Sequence, residues 1–264
     1  MEYRGRIAPT PTGLLHIGHA RTFWIAQKRC HDAGGTLLYR NENLDTARCK
    51  REFHTAALED CRWLGLKWEG EPVIQSDRKD QYKEAFEELK HAGHLYPCTC
   101  TRKDIQEAST APHSEEGEIL YPGTCREAVA TPENQPTNWR FRVPEGNVIE
   151  FQDGHFGPQR FVAGRDFGDF PVWQKNSDPS YQLAVVVDDA AMGITEVVRG
   201  ADLLISTARQ LLLYDALKLT PPAFFHCELM CDETGQRLAK RHDSLSLQSL
   251  RAQGKSPAEI KSDW

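Results

Sequence analysis

Two histidines three residues apart, His16 and His19, flank Gly18 near the start of the 264-residue chain, within Arg6-Ile-Ala-Pro-Thr-Pro-Thr-Gly-Leu-Leu-His-Ile-Gly-His-Ala-Arg21. The run begins as a short apolar strand and breaks at Pro9 and Pro11. Beyond His16 it spaces Ile17, Ala20, Phe23, Trp24 and Ala26 for one buried helical face. A strand that turns sharply into a helix presents free backbone N–H groups and the positive end of the helix dipole, a seat for phosphate. Imidazoles at i and i+3 face the same way, and glycine between them lets a ligand approach the backbone. Near the other end, Gly235-Gln-Arg-Leu-Ala-Lys240-Arg241 is a basic loop that could hold further phosphate charge. Taken alone it is a basic loop and nothing more.

A second chemistry is carried by sulfur. Cys98-Thr-Cys100 is followed, after a polar loop at residues 108–118, by Tyr121-Pro-Gly-Thr-Cys125. Soft thiolates bind zinc tetrahedrally, and a closed site needs four ligands. Ligand preference alone nominates His94 or His113 for the fourth position. Cys30, Cys49, Cys61, Cys227 and Cys231 read as buried or incidental.

The elements that must position these groups follow from periodicity. The first helix is expected to end at Gly34-Gly35, and residues 36–40 read as a second buried strand, completing a βαβ unit whose phosphate-binding turn lies at the carboxyl end of its first strand. Arg40-Asn-Glu-Asn-Leu-Asp45 comes at the end of the second strand, where α/β folds place ligand-binding groups. Residues 50–64 are predicted helical. Ser76-Asp77 is expected to cap a following helix with Tyr82, Ala85, Phe86 and Leu89 on one face, ended by Gly93. Residues 138–143 and 148–151, around the turn at 144–147, carry a hairpin signal. The apolar run 179–189, closing on Asp188 and Asp189, reads as a central parallel strand with functional groups at its tip. Residues 194–200 are the next strand, and Ser206-Thr207 is expected to cap a helix reaching about Leu217. Ser256-Pro-Ala-Glu259 begins a short capped helix.

Hydrophobic content of 39% and charged content of 27% describe an ordinary globular chain. No apolar run reaches membrane-spanning length and the N-terminus lacks a signal-peptide core, so a cytoplasmic location and no membrane partner are expected. The cysteines are then thiols or metal ligands rather than disulfides. A net charge of −6 argues against indiscriminate nucleic-acid binding; any RNA contact must rest on a local basic patch.

The whole N-terminal run resembles the first ATP-binding signature of class I aminoacyl-tRNA synthetases, in the form of the glutamyl and glutaminyl branch. The loop at 235–241 resembles the second signature, Lys-Met-Ser-Lys-Ser, with Arg237 at its first lysine and Lys240 at its second. The resemblance implies an α/β, Rossmann-type class I catalytic domain with a zinc-bearing insertion and a short helical C-terminal segment. The expected division is residues 1–95 and 166–230 as the two halves of the nucleotide-binding fold, 96–165 as the insertion, and 231–264 as the signature loop and C-terminal helices. It implies ATP as substrate, Mg²⁺ with it, and His16, Gly18, His19, Arg237 and Lys240 as the nucleotide site, with His16, His19 and Lys240 catalytic. L-glutamate would be held by Arg6, Ala8, Pro9, Thr10, Glu42, Tyr181 and Arg199. Glu42 and Asp45 match the family's Arg-x-Glu-Asp-x-Asp stretch, whereas Asn43 departs from it. The Cys-x-Cys and Tyr-x-x-x-Cys pattern resembles a zinc-bearing insertion in one glutamyl-type subfamily, which implies Zn²⁺ on Cys98, Cys100, Tyr121 and Cys125, with His113 the second choice. The chain stops at Trp264, where a glutamyl-tRNA synthetase would continue into an anticodon-binding domain. It therefore resembles the stand-alone catalytic-domain branch, which implies a monomer that transfers glutamate to queuosine in the anticodon loop of tRNA(Asp). The competing readings are a truncated enzyme charging a tRNA 3′ end and a non-catalytic RNA-binding module; intact His16, His19, Glu42 and Lys240 speak against the latter.

Overall fold

A computed structural model describes residues 2–101, 103–105, 120–127, 136–230, 246–262 and 264. Strand β1 (Arg4–Ile7), helix α1 (Ile17–Asp32) and strand β2 (Thr36–Asn41) form the expected parallel βαβ unit. Helix α1 ends as anticipated, with Gly34 at φ +62°, a conformation that costs glycine nothing. Helix α2 (Arg51–Trp63) leads to β3 (Val73–Ile74), parallel to β2. A 3-10 turn over residues 75–78 precedes α3 (Lys79–His91), so Ser76-Asp77 is not its cap; the N-cap is Arg78, without a side-chain bond.

The second half supplies the other side of the parallel system. Strand β9 (Glu196–Gly200), helix α5 (Leu204–Ala216) and strand β10 (Ala223–Cys227) make another parallel crossover. Thr195 N–H donates to Arg4 O (2.9 Å), and Arg6 Nη1 donates to Val198 O (3.0 Å). Strand β9 thus lies beside β1, and strand order reverses there, the switch point at which open α/β sheets bind ligands.

Strands β4 (Leu95–Cys98), β5 (Asn138–Phe141) and β8 (Phe170–Trp173) form an antiparallel sheet in the order β4-β5-β8. Strand β6 (Val148–Asp153) pairs antiparallel with β7 (Gly157–Val162) and parallel with β10. The expected hairpin of residues 138–143 with 148–151 is therefore absent. The chain does turn at 144–147, but the two strands diverge into different sheets.

The largest correction concerns residues 179–189. They form helix α4 (Tyr181–Ala191), not a strand. Leu183, Ala184, Val185 and Val186 are all buried, so no polar face reveals the helical period. Ser206 and Thr207 sit inside α5, whose N-cap is Leu203. At the C-terminus, α6 (Leu247–Ala252) is followed by α7 (Pro257–Lys261), which carries the expected Ser256/Glu259 capping box. No helix among the described residues is long and apolar enough to cross a membrane.

Candidate active site

A cavity of about 370 Å³ opens where the carboxyl ends of β1, β2 and β9 meet. Arg6, Ala8, Pro9, Thr10, His16, Gly18, His19, Glu42, Tyr181 and Arg199 all line it. These are every described residue expected to hold nucleotide or glutamate. Arg237, Lys240 and Arg241 lie outside the described residues. Met230, just before that stretch, borders the cavity, and Ser246, just after it, bridges to His16.

His16 is the N-cap of α1. Its Nδ1 accepts the Gly18 N–H (3.1 Å), which leaves Nε2 to carry the proton. The His16 and His19 rings lie against each other, centroids 3.8 Å apart. A Cβ on Gly18 would stand 3.0 Å from His16 Cε1, so the glycine makes room for the capping ring as much as for any ligand. The first turn of α1 thus offers two imidazoles and the positive end of a 16-residue helix to the cavity.

Behind this mouth lies a buried charge network. Arg40, fully enclosed, donates to Glu42 Oε1 (2.9 Å) and Asp189 Oδ1 (2.6 Å), with Asp188 Oδ2 at 3.7 Å. Arg6 Nε stands 3.4 Å from the same Asp189 oxygen. Asp188 also accepts from Gln75 Nε2, Arg78 Nε and Tyr82, which ties α4 to α3. Burial pushes the Glu42 carboxyl above its ordinary range, against the pull of Arg40 and Arg6. Arg199 Nη1 reaches the Tyr181 hydroxyl (3.4 Å) and Nη2 the Thr207 hydroxyl (2.6 Å). The cavity therefore presents two guanidinium groups (Arg6 and Arg199), two imidazoles (His16 and His19) and three carboxylates (Glu42, Asp202 and Glu228).

Comparison with known proteins shows which family the chain belongs to. Residues 2–261 match the family described as tRNA synthetases class I (E and Q), catalytic domain. The chain belongs to that family. A relative named Glutamyl-Q tRNA(Asp) synthetase, from Nitratidesulfovibrio vulgaris, is 44% identical over 97% of this chain and 83% of its own length. One named Glutamate--tRNA ligase, from Aquifex aeolicus, is 36% identical over 98% of this chain and 56% of its own length. A crystal structure of a glutamate tRNA ligase from Elizabethkingia meningosepticum, in complex with its amino acid, superposes with a TM-score of 0.78 at 27% identity. The match covers 91% of this chain and 52% of that one. The fold is accordingly the class I α/β catalytic domain, with short C-terminal helices.

Two other expected groups have different settings. Asp45 is an exposed partner of Arg48. Asn43 bonds both the hydroxyl and the N–H of Ser76, so the departure from the family pattern serves to pin the loop after β2.

The thiols of Cys98, Cys100 and Cys125 converge within 4.8 Å of one another. Tyr121 completes the group: its hydroxyl lies 3.4 Å from Cys98 Sγ and 3.6 Å from Cys100 Sγ, while Cys100 and Cys125 Sγ are 3.5 Å apart. Ligand–metal bonds of about 2.0–2.3 Å in a tetrahedron give edges of about 3.5–3.8 Å, so this donor set fits one metal ion. Hydrogen bonds from Tyr121 and neighbouring groups outweigh burial and bring the Cys125 thiol down to about 7, while burial raises Cys100 to about 11. Arg140 Nε donates to Cys98 Sγ (3.3 Å) and its guanidinium covers the Tyr121 ring at 3.9 Å. His94 stacks on Phe141 instead. His113 and Cys231 lie outside the described residues.

Sequence reasoning missed Thr22, Asp202 and Glu228 on the cavity wall, and read Thr207 as a helix cap rather than as a partner of Arg199. Glu228 follows β10, and that position at the end of a parallel strand was the one signal available.

Proposed function

We propose that this enzyme activates L-glutamate with ATP and transfers it to queuosine in the anticodon loop of tRNA(Asp). The observation that carries the first half is the charge pattern of the cavity: Arg6 and Arg199 for the two carboxylates of glutamate and Glu42 for its ammonium. The naming of relatives 42–44% identical over at least 97% of the chain supports the acceptor. A tRNA substrate puts the work in the cytoplasm.

In the first step a glutamate α-carboxylate oxygen attacks the α-phosphorus of ATP. The bond to the bridging oxygen breaks, and pyrophosphate leaves with its electron pair. Such a reaction needs alignment and charge neutralisation more than covalent help. His16, protonated on Nε2, and His19 donate to α-phosphate oxygens as charge builds. Lys240 and Arg237 hold the β- and γ-phosphates, and Mg²⁺ enters with the nucleotide. In the second step a queuosine ring hydroxyl attacks the acyl carbon. An ester forms, AMP leaves, and the hydroxyl proton passes to solvent. Cys98, Cys100, Tyr121 and Cys125 would hold Zn²⁺ in a structural role, since four protein ligands would leave no open position for substrate, and binding would tie the end of β4 to the loop at 120–127.

Glutamate-dependent exchange of pyrophosphate into ATP, without tRNA, tests activation. His19→Ala and Lys240→Ala should each slow it strongly; full activity in both sinks the nucleotide site. The acceptor is tested by identifying the glutamylated nucleoside. The product should be a base-labile ester on queuosine that survives periodate oxidation of the tRNA 3′ terminus before reaction, the queuosine diol being protected. Transfer that needs the 3′ diol and proceeds on tRNA lacking queuosine would make the enzyme an ordinary charging synthetase.

A further inference from the structure

The three arginines around the cavity are neutralised to very different extents. Arg40 touches three carboxylates, and Arg6 shares Asp189. Arg199 is 5% exposed, yet among the described residues its partners are all neutral: His226 Nε2 (3.2 Å), the Thr207 hydroxyl (2.6 Å) and the Tyr181 hydroxyl (3.4 Å). A buried cation with no counter-ion is costly, and the cost is removed only when an anion arrives.

What holds this guanidinium is a buried relay. Arg199 on β9 and His226 on β10 are register partners in the parallel sheet. His226 accepts from Arg199 on Nε2, so its proton is on Nδ1, which donates to Asp153 Oδ2 (2.6 Å). Both side chains are fully buried. Asp153, at the end of β6, also accepts the N–H groups of His155 and Phe156 (2.9 Å each) and of His226 itself (3.1 Å). With every direction occupied, the carboxylate cannot swing, and the imidazole it holds cannot flip. We infer that His226, oriented by Asp153, is a positioning residue for Arg199: it fixes the guanidinium through a neutral acceptor and leaves its full charge for a carboxylate of the substrate. A carboxylate in the place of His226 would hold Arg199 as firmly and cancel the charge that binding needs.

The protonation states agree. Burial and the Arg199 charge push the imidazole down to about 4, against the pull of Asp153. Hydrogen bonds from Phe156 N–H, His226 and His155 N–H keep Asp153 below the usual carboxylate range despite its burial. The lone pair facing Arg199 is therefore present at neutral pH.

The inference rests on the proposed glutamate site, and pyrophosphate exchange separates the two. His226→Asn keeps a donor at the Nδ1 position for Asp153 but is too short to reach Arg199. His226→Gln places an amide oxygen where Nε2 was. For His226→Asn the KM for glutamate should rise about tenfold or more, the scale of one lost hydrogen bond to a charged group, with the KM for ATP essentially unchanged. His226→Gln should restore most of that loss. A glutamate KM unchanged in His226→Asn, both KM values rising together, or a Gln variant no better than Asn each overturns the positioning role. Wild-type protein that shows no glutamate-dependent exchange overturns the site and this inference together. If His226→Asn fails to fold, His226→Leu, which fills the space without an acceptor, takes its place in the same comparison.

Discussion

Replacing Arg40 by methionine separates scaffold from site, because Arg40 is enclosed behind the cavity rather than on its wall. The substitution leaves Glu42, Asp188 and Asp189 without the guanidinium they share. Asp188 keeps Arg78 and Tyr82, and Asp189 keeps Arg6 at 3.4 Å. Glu42 loses its hydrogen-bonded cation outright. Breaking a buried pair by removing one partner costs about 3–5 kcal/mol, a large share of a domain's roughly 5–15 kcal/mol. For a chain of this size that is a fall in melting midpoint of roughly 6–20 °C. The loss should also depend on pH. Burial already holds the Glu42 carboxyl above its ordinary 4.5, with Arg40 the largest opposing influence. A carboxyl raised in the folded state stabilises below its unfolded pKa, and that contribution disappears as pH rises through the folded value. Removing Arg40 raises it further, so the deficit against wild type should grow from pH 5 to pH 8. Urea unfolding of both proteins at the two pH values measures it. A loss under about 1 kcal/mol at pH 8, or the same loss at both pH values, refutes the network as described.

Tyr121→Phe should weaken Zn²⁺ retention by about tenfold or more in a competition with chelator, while Cys98→Ser should abolish it; unchanged retention in Tyr121→Phe would hand the fourth position to another group. Asp60, buried with Arg251 at 3.7 Å, is raised from 3.8 to about 6 by burial, so its stabilising contribution is lost as pH rises through 6. Asp60→Asn should therefore stabilise by about 1–3 kcal/mol at pH 8 and by little near pH 4, measured by urea titration; equal effects at both would refute it. A Cβ on Gly35 would stand 2.3 Å from Tyr3 O, so Gly35→Ala should displace the turn into β2 and lower stability by about 2–4 kcal/mol in the same assay. An unchanged midpoint would refute it.

Elements announced by local chemistry were legible in the sequence. The helix after His16, its glycine ending and the Ser256 capping box each depend on a few neighbouring residues. Elements whose character depends on distant packing were not. The Val-Val-Val core of α4 has strand propensity, and its enclosure removes the alternation that would separate helix from strand. Its eleven residues, long for a strand, were the neglected clue. Pro144–Asn147 signals that the chain turns, but not that the flanking strands pair. Strand β5 joins β4 and β8 instead, while β6 finds β7 across the turn after Asp153.

The candidate site was legible as a set of residues and illegible as a distribution of charge. Glu42, Arg6 and Arg199 can be matched to glutamate by counting, but counting treats every buried arginine alike. Arg40 and Asp189 are 149 residues apart, and only the placement of α4 against β2 reveals that this arginine is already committed. Once Arg40 is assigned to Glu42 and Asp189, Arg6 is half-committed and Arg199 is open. On the proposed glutamate site, selectivity for a dicarboxylate over its amide would follow from desolvation. On that reading, glutamine would leave the buried Arg199 guanidinium facing a neutral group, and the resulting unpaired charge would disfavour it.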